Sequence, residues 1–199
     1  ISFFWTVGTV LFIQFPPLAK HVLHANKEVA SLFLVIFSVG VAIGSMSVNA
    51  LLKGTVSARY SPASVLVMAA FVGVFFLICR QWPQLPEGSL YDTAGFIAMP
   101  LAIPLLLALL GIAVAGGMFV VPLYAFLTTF VDKTQTSRTI AANNIVNSGA
   151  MVIGSLLASG LSAAGVSIVN QVLLSAVMCI YSAHLGRKLV QAERAAQAM

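Results

Sequence analysis

An all-α membrane protein with six transmembrane helices is the fold class this sequence predicts, and three observations carry it. Of 199 residues, 8% are charged and 60% hydrophobic, and the mean hydropathy is +1.02. The charges cluster, leaving charge-free windows at 1–19, 29–52, 60–79, 93–131 and 139–186. Within those windows polar and apolar residues do not alternate. Soluble domains carry about 25% charged residues, so this chain has too little polar surface to coat a body in water without exposing large apolar patches. A strand in lipid must belong to a closed barrel and alternates in polarity over about ten residues, which leaves helices as the spanning element. Disordered tails, nucleic-acid modules and disulfide scaffolds need dense charge or dense cysteine and are excluded. Cys79 and Cys179, the only two cysteines, sit in apolar runs and read as small hydrophobes.

Each span follows from the same punctuation. A hydrocarbon core about 30 Å thick takes about 20 helical residues to cross. The first three windows give one span each, at 1–19, 29–52 and 61–80. The fourth is long enough for one extended helix or two short ones, and is assigned one span at 97–128. Pro100 and Pro104 then fall in its first turns, where a missing amide donor costs little, and Pro122 is a kink in its second half. The fifth window holds two spans, 139–162 and 166–186, divided by the small residues Ser162-Ala163-Ala164-Gly165. Small residues four apart mark close helix crossings: Gly40 and Gly44, Gly111 and Ala115, and Ala150, Gly154 and Ala158.

Six alternating spans put Lys53, Arg59, Lys133, Arg138, Arg187, Lys188 and Arg194 on one side and Lys20, Lys27 and Arg80 on the other. The positive-inside rule places the richer side, with both ends of the chain, in the cytoplasm. The chain opens Ile1-Ser2-Phe3-Phe4-Trp5, inside an apolar run and without a charged leader, and is expected to be a piece of something longer.

No Asp, Glu, Lys or Arg lies in the middle of a span, so no proton-carrying carboxylate or gating charge is expected there. The intramembrane polar groups are neutral: Gln14, Asn49, Tyr124, Asn143, Asn144, Asn147, Asn170 and Gln171. Asn143 and Asn147 are one turn apart on one helix face. Beside them Asn144, Ser148, Met151, Ser155 and Ser159 form a second stripe. Such a face either hydrogen-bonds a neighbouring helix or lines a pathway, and the sequence leaves both open. No metal or other cofactor is expected. His21 and His24 lack a third ligand at useful spacing, and His184 belongs to a helix end beside Arg187 and Lys188. A serine protease of the rhomboid kind would need a serine on the fourth span, which has none.

Six spans, both ends on one side, and a loop carrying Lys53 and Arg59 resemble the C-terminal half of a major facilitator superfamily transporter, a twelve-helix fold of two six-helix halves. The runs Gly116-Gly117-Met118-Phe119-Val120-Val121-Pro122-Leu123 and Asn147-Ser148-Gly149-Ala150-Met151, with Phe3-Phe4-Trp5, are similar to the bacterial lysophospholipid transporter branch. One departure stands out. The acid of the superfamily's loop signature is missing from Asn49-Ala50-Leu51-Leu52-Lys53-Gly54-Thr55-Val56-Ser57-Ala58-Arg59.

The resemblance implies alternating access in a bacterial inner membrane, with the first, second, fourth and fifth spans on a central cavity shared with the other half. It gives Gln14, Tyr124, Asn143 and Asn147 hydrogen-bonding roles toward a headgroup and makes Trp5 and Phe4 an apolar wall for an acyl chain. Gly116, Gly117 and Pro122 become bending points of the fourth span. Lys53 and Arg59 hold anionic headgroups and fix topology. The implied partners are the bilayer, a lysophospholipid or other amphiphile, the second half and an acyltransferase, with no nucleic acid. The alternatives are a proton-coupled exporter of hydrophobic drugs and a membrane anchor that scaffolds an acyltransferase.

Overall fold

The computed structural model describes residues 1–83 and 89–197. Seven helices occur among them: α1 (Ser2–His21), α2 (Lys27–Leu52), α3 (Ser61–Arg80), α4 (Thr93–Ile97), α5 (Ala102–Thr129), α6 (Thr136–Ala163) and α7 (Ile168–Gln197). All but α4 are long and apolar enough to cross a membrane. The chain is thus an all-helical protein with six candidate spans.

Where the boundaries differ from the sequence reading, the cause is local. The fourth span starts at Ala102 rather than residue 97, because residues 93–97 form the separate helix α4. Asp92 starts that helix by accepting a hydrogen bond from the Gly95 amide at 2.8 Å. Pro100 then lies in the turn between α4 and α5, while Pro104 occupies the first turn of α5 and Pro122 sits inside a continuous helix. The last helix runs on past residue 186 to Gln197, carrying Arg187, Lys188 and Arg194 beyond its apolar part. The tight turn predicted at 162–165 is present, with Gly165 at φ +81, a backbone conformation glycine adopts without a Cβ penalty. Lys53 at φ 51 and Gly54 at φ 76 reverse the chain after α2. Between α5 and α6, the Thr134 amide and then its hydroxyl donate to Asp132 Oδ1, each at 2.8 Å, and hold that carboxyl below its ordinary range.

α5 is the central helix. It packs on α2 and α3, and α3 in turn packs on α7, while α1 joins α6, α2 and α7. The small residues sit where these helices cross. A Cβ on Gly117 would stand 2.5 Å from the Val41 carbonyl oxygen, and one on Gly40 would stand 2.5 Å from the Ala113 methyl. Gly44 lies against the Val114 carbonyl, Gly111 under the Phe71 ring, and Gly154 of α6 against the Thr6 methyl of α1. Backbones that approach this closely gain dispersion contacts along the whole crossing, the main attraction available between helices whose surroundings are as apolar as they are. Phe15, Phe33, Phe75 and Phe96 fill the wider gaps and are fully buried.

Side-chain contacts tie the loops into two opposite ends. At one, the Ala58 amide donates to Glu193 Oε2 at 3.1 Å, and Ile1 and Phe3 share a groove with Phe126, Leu127 and Leu189. At the other, Trp82 Nε1 donates to the Leu23 carbonyl at 3.0 Å, and Tyr91 bridges residues 24–26 through two backbone hydrogen bonds. The helices therefore run alternately up and down, and the cations divide between the ends as the sequence arranged them. α6 is the least covered helix. Only Asn147, Gly154 and Ala158 are buried on it.

Candidate functional site

Three of the six predicted substrate-facing residues meet in one hydrogen-bonded cluster. Trp5 of α1 donates from Nε1 to the Tyr124 hydroxyl oxygen of α5 at 2.7 Å. Asn147 of α6 donates from Nδ2 to the same oxygen at 3.1 Å. The Asn147 carbonyl accepts from the Ser2 hydroxyl of α1 at 2.8 Å. Three helices are thereby joined through neutral groups in a region with no formal charge, where each such bond contributes about 0.6 kcal/mol and at most about 1.7.

The donor and acceptor balance of this cluster is uneven. A phenol oxygen has two lone pairs, and both are used by Trp5 and Asn147, so the Tyr124 proton must point elsewhere. No acceptor for it occurs among the described residues. One turn along α6, Asn143 Nδ2 is buried and also has no partner among them. Both unused groups are donors. An arrangement with surplus donors, one buried at Asn143 and one half-exposed at Tyr124, is complementary to a ligand rich in acceptors, such as a phosphate, ester or glycerol oxygen.

An apolar cleft adjoins the cluster. It has a volume of ≈ 350 Å³ and is walled by Phe4, Trp5, Gly8 and Phe12 of α1, by Phe37 of α2 and by Met151 of α6. Phe4 and Trp5 meet edge to face at 5.6 Å, as do Phe12 and Phe37 at 5.0 Å. Trp5 belongs to both features: its ring faces the cleft, and its N–H anchors Tyr124. Along α6, Asn143, Asn147 and Met151 follow one another at intervals of four, so the row that carries the amides continues into the cleft wall. The whole is amphipathic, with a greasy trough and a hydrogen-bonding head.

Gln14 lies elsewhere. It is buried and donates from Nε2 to Gln171 Oε1 of α7 at 2.7 Å, while Gln171 Nε2 donates to Ser162 Oγ at 2.9 Å and to the Val166 carbonyl at 3.0 Å. This second network ties α1 to the α6–α7 turn, at the end of the bundle away from Tyr124. Gly116 and Gly117 stand in regular helix at close approaches, the first with its would-be Cβ 2.9 Å from the Phe4 ring and the second against α2. Pro122 is buried in α5, two residues before Tyr124. Lys53 is exposed as the C-cap of α2, and Arg59 Nη2 donates to the Leu51 carbonyl at 3.3 Å, covering that helix's electronegative end.

The sequence reading passed over Ser2, Gly8, Phe12 and Phe37. A signal for part of this was present, since Phe4, Gly8 and Phe12 recur every four residues along α1. Among the described residues no group of three or more His, Cys, Asp or Glu could hold a metal ion. Comparison of the chain with protein-family models, with curated proteins and with solved structures found no match.

Proposed function

We propose that the chain is one six-helix half of an alternating-access carrier that moves a lysophospholipid-like amphiphile across the bacterial inner membrane, with its cation-rich end in the cytoplasm. The observation that carries this reading is the contiguity of an apolar trough with a cluster of surplus hydrogen-bond donors, Tyr124 and Asn143, among neutral side chains. Phe4, Trp5, Phe12 and Phe37 suit an acyl chain, and the phenol and amide protons suit the oxygens of a headgroup. A small ion or a sugar would gain nothing from the trough. The largely uncovered α6, with Asn144 and Ser148 exposed beside buried Asn147, supports a second six-helix half across the cavity.

Transport by the full-length protein in lipid vesicles tests the proposal. Labelled lysophospholipid should cross faster than in protein-free vesicles. Tyr124→Phe, which deletes the unspent proton together with the oxygen that accepts from Trp5 and Asn147, should slow transport about tenfold or more, since a donor lost to a charged acceptor costs about 1.5–3 kcal/mol. Flux equal to that of empty vesicles under either gradient direction would dismiss the carrier. Unchanged transport in both Tyr124→Phe and Asn147→Ala would favour a scaffold for an acyltransferase instead.

A further inference from the structure

A second groove, outside the cleft, lies between α3 and α7 at the cation-rich end. It has a volume of ≈ 370 Å³ and is lined by Arg59, Pro62, Ala63 and Leu66 on one side and Arg187, Val190, Gln191 and Arg194 on the other. Each set is spaced i, i+3, i+4, i+7. The turn that leads into α3 and the first turns of α3 therefore face a stripe of α7, with Arg59 and Arg194 toward the end of the bundle and Arg187 one turn deeper than Val190. The helices are held close here, because a Cβ on Gly186 would stand 3.3 Å from Pro62 Cγ.

The three guanidinium groups face no acid in this groove. The nearest acid in sequence is Glu193, next to Arg194, and it is turned away: its side chain is buried, with Oε2 accepting the Ala58 amide at 3.1 Å. Arg59 is positioned by the Leu51 carbonyl at 3.3 Å and by the Tyr60 ring face, 4.7 Å from the ring centroid. Arg187 and Arg194 are exposed. Unneutralised arginines lining one groove invite a divalent or bidentate oxyanion, because a guanidinium matches phosphate geometry with paired N–H donors. The apolar floor of Pro62, Ala63, Leu66 and Val190 selects among oxyanions, since a soluble phosphate would leave it wet while a lipid's glycerol and first methylenes would cover it.

We infer that this α3–α7 groove is a binding site for the phosphodiester headgroup of an anionic phospholipid, separate from the transport cleft and independent of what that cleft carries. Surface attraction to anionic lipid contributes about fivefold in affinity per basic residue.

The test titrates dioleoyl-phosphatidylglycerol, and in parallel dioleoyl-phosphatidylcholine, into the purified full-length protein in a non-ionic detergent, with the lipid-bound fraction counted by native mass spectrometry. One phosphatidylglycerol per chain should be retained in preference to phosphatidylcholine. Arg187→Gln should weaken its retention about fivefold and the triple change at Arg59, Arg187 and Arg194 to Gln about a hundredfold. Lys133→Gln, an exposed cation at the same end but outside the groove, should have no effect. The unmodified protein gives a reading that needs no substitution: retention should fall steeply between about 0.05 and about 0.5 M salt, over which exposed charges become screened. The site is overturned if both lipids are retained equally, if Lys133→Gln weakens retention as much as Arg187→Gln, or if retention ignores salt. Displacement of the lipid by equimolar sn-glycerol 3-phosphate would also overturn it, by showing that the acyl chains contribute nothing and the ligand is a soluble phosphate.

Discussion

Tyr124 and Gln14 are both neutral polar groups inside an apolar bundle, yet their surroundings give them different work. The Tyr124 oxygen accepts twice and its proton is unspent, whereas the Gln14 amide is matched to Gln171, which is itself matched to Ser162 and Val166. Gln14→Leu is therefore expected to lower thermal stability in detergent by about 1–2 kcal/mol, by orphaning part of the Gln171 amide, while transport per folded molecule stays at the unmodified rate. Tyr124→Phe should slow transport per folded molecule and also lower stability by about 1 kcal/mol, because Trp5 Nε1 and Asn147 Nδ2 lose their shared acceptor. A transport defect in Gln14→Leu with undiminished stability would move Gln14 into the substrate path. The sequence could place these residues on helices but not pair them, because Gln14 and Gln171 are 157 positions apart and Trp5 and Tyr124 are 119 apart. Asn143 and Asn147 were legible as one face because four residues make about one turn. Which of the two would be satisfied by a neighbour was not.

At the scale of the element, the helical glycines separate into those that close a crossing and those with open space at the would-be Cβ, of which Gly8 lines the cleft. Gly117 and Gly44 meet backbone on the facing helix, so a larger side chain there must push two helices apart. Around Gly8 an added Cβ would meet no atom within 4 Å, and the space it would enter is the cleft. Gly8→Leu is expected to fill the trough and block transport, with the melting temperature unchanged or higher, since removing a helical glycine relieves about 0.5–1 kcal/mol. Gly117→Leu should lose about 3 kcal/mol or more, or fail to fold, because its neighbour is backbone that cannot swing aside. Thermal unfolding of both variants, with transport measured alongside, checks the pair. A destabilised Gly8→Leu would show that the space is not open. The small-xxx-small spacing made the crossings readable from sequence, as it reports a steric need that any partner helix imposes. The cleft was not readable, because an absence of atoms leaves no mark on the residues beside it. The short helix α4 was hidden for a different reason: residues 93–131 carry no charge, and the break at Pro100 reads equally well as the first turn of a longer helix.

For the molecule as a whole, composition decided the solvent and the helices follow from it. Large apolar side chains cover the outside, among them Leu77 (53% exposed), Leu107 (58%) and Val177 (58%). Such a surface is unstable in water and ordinary against acyl chains. The division of cations between two ends was legible because each charge costs about 2.5–3.5 kcal/mol at mid-bilayer and is driven to the helix termini. The α3–α7 arginine groove was not, since it needs α3 and α7 to be neighbours and Glu193 to turn inward. Everything proposed for the cleft presupposes that the six long helices are immersed in lipid. Single cysteines, placed in a Cys79→Ala, Cys179→Ala background and exposed to a membrane-impermeant maleimide in sealed vesicles, test that most directly. Val74→Cys and Val177→Cys, exposed at mid-helix on α3 and α7, should stay unlabelled, while Thr55→Cys should react from one side of the membrane and Ala164→Cys from the other. Labelling of the mid-helix positions as fast as Thr55→Cys, or of both loop positions from the same side, would contradict the six-span account.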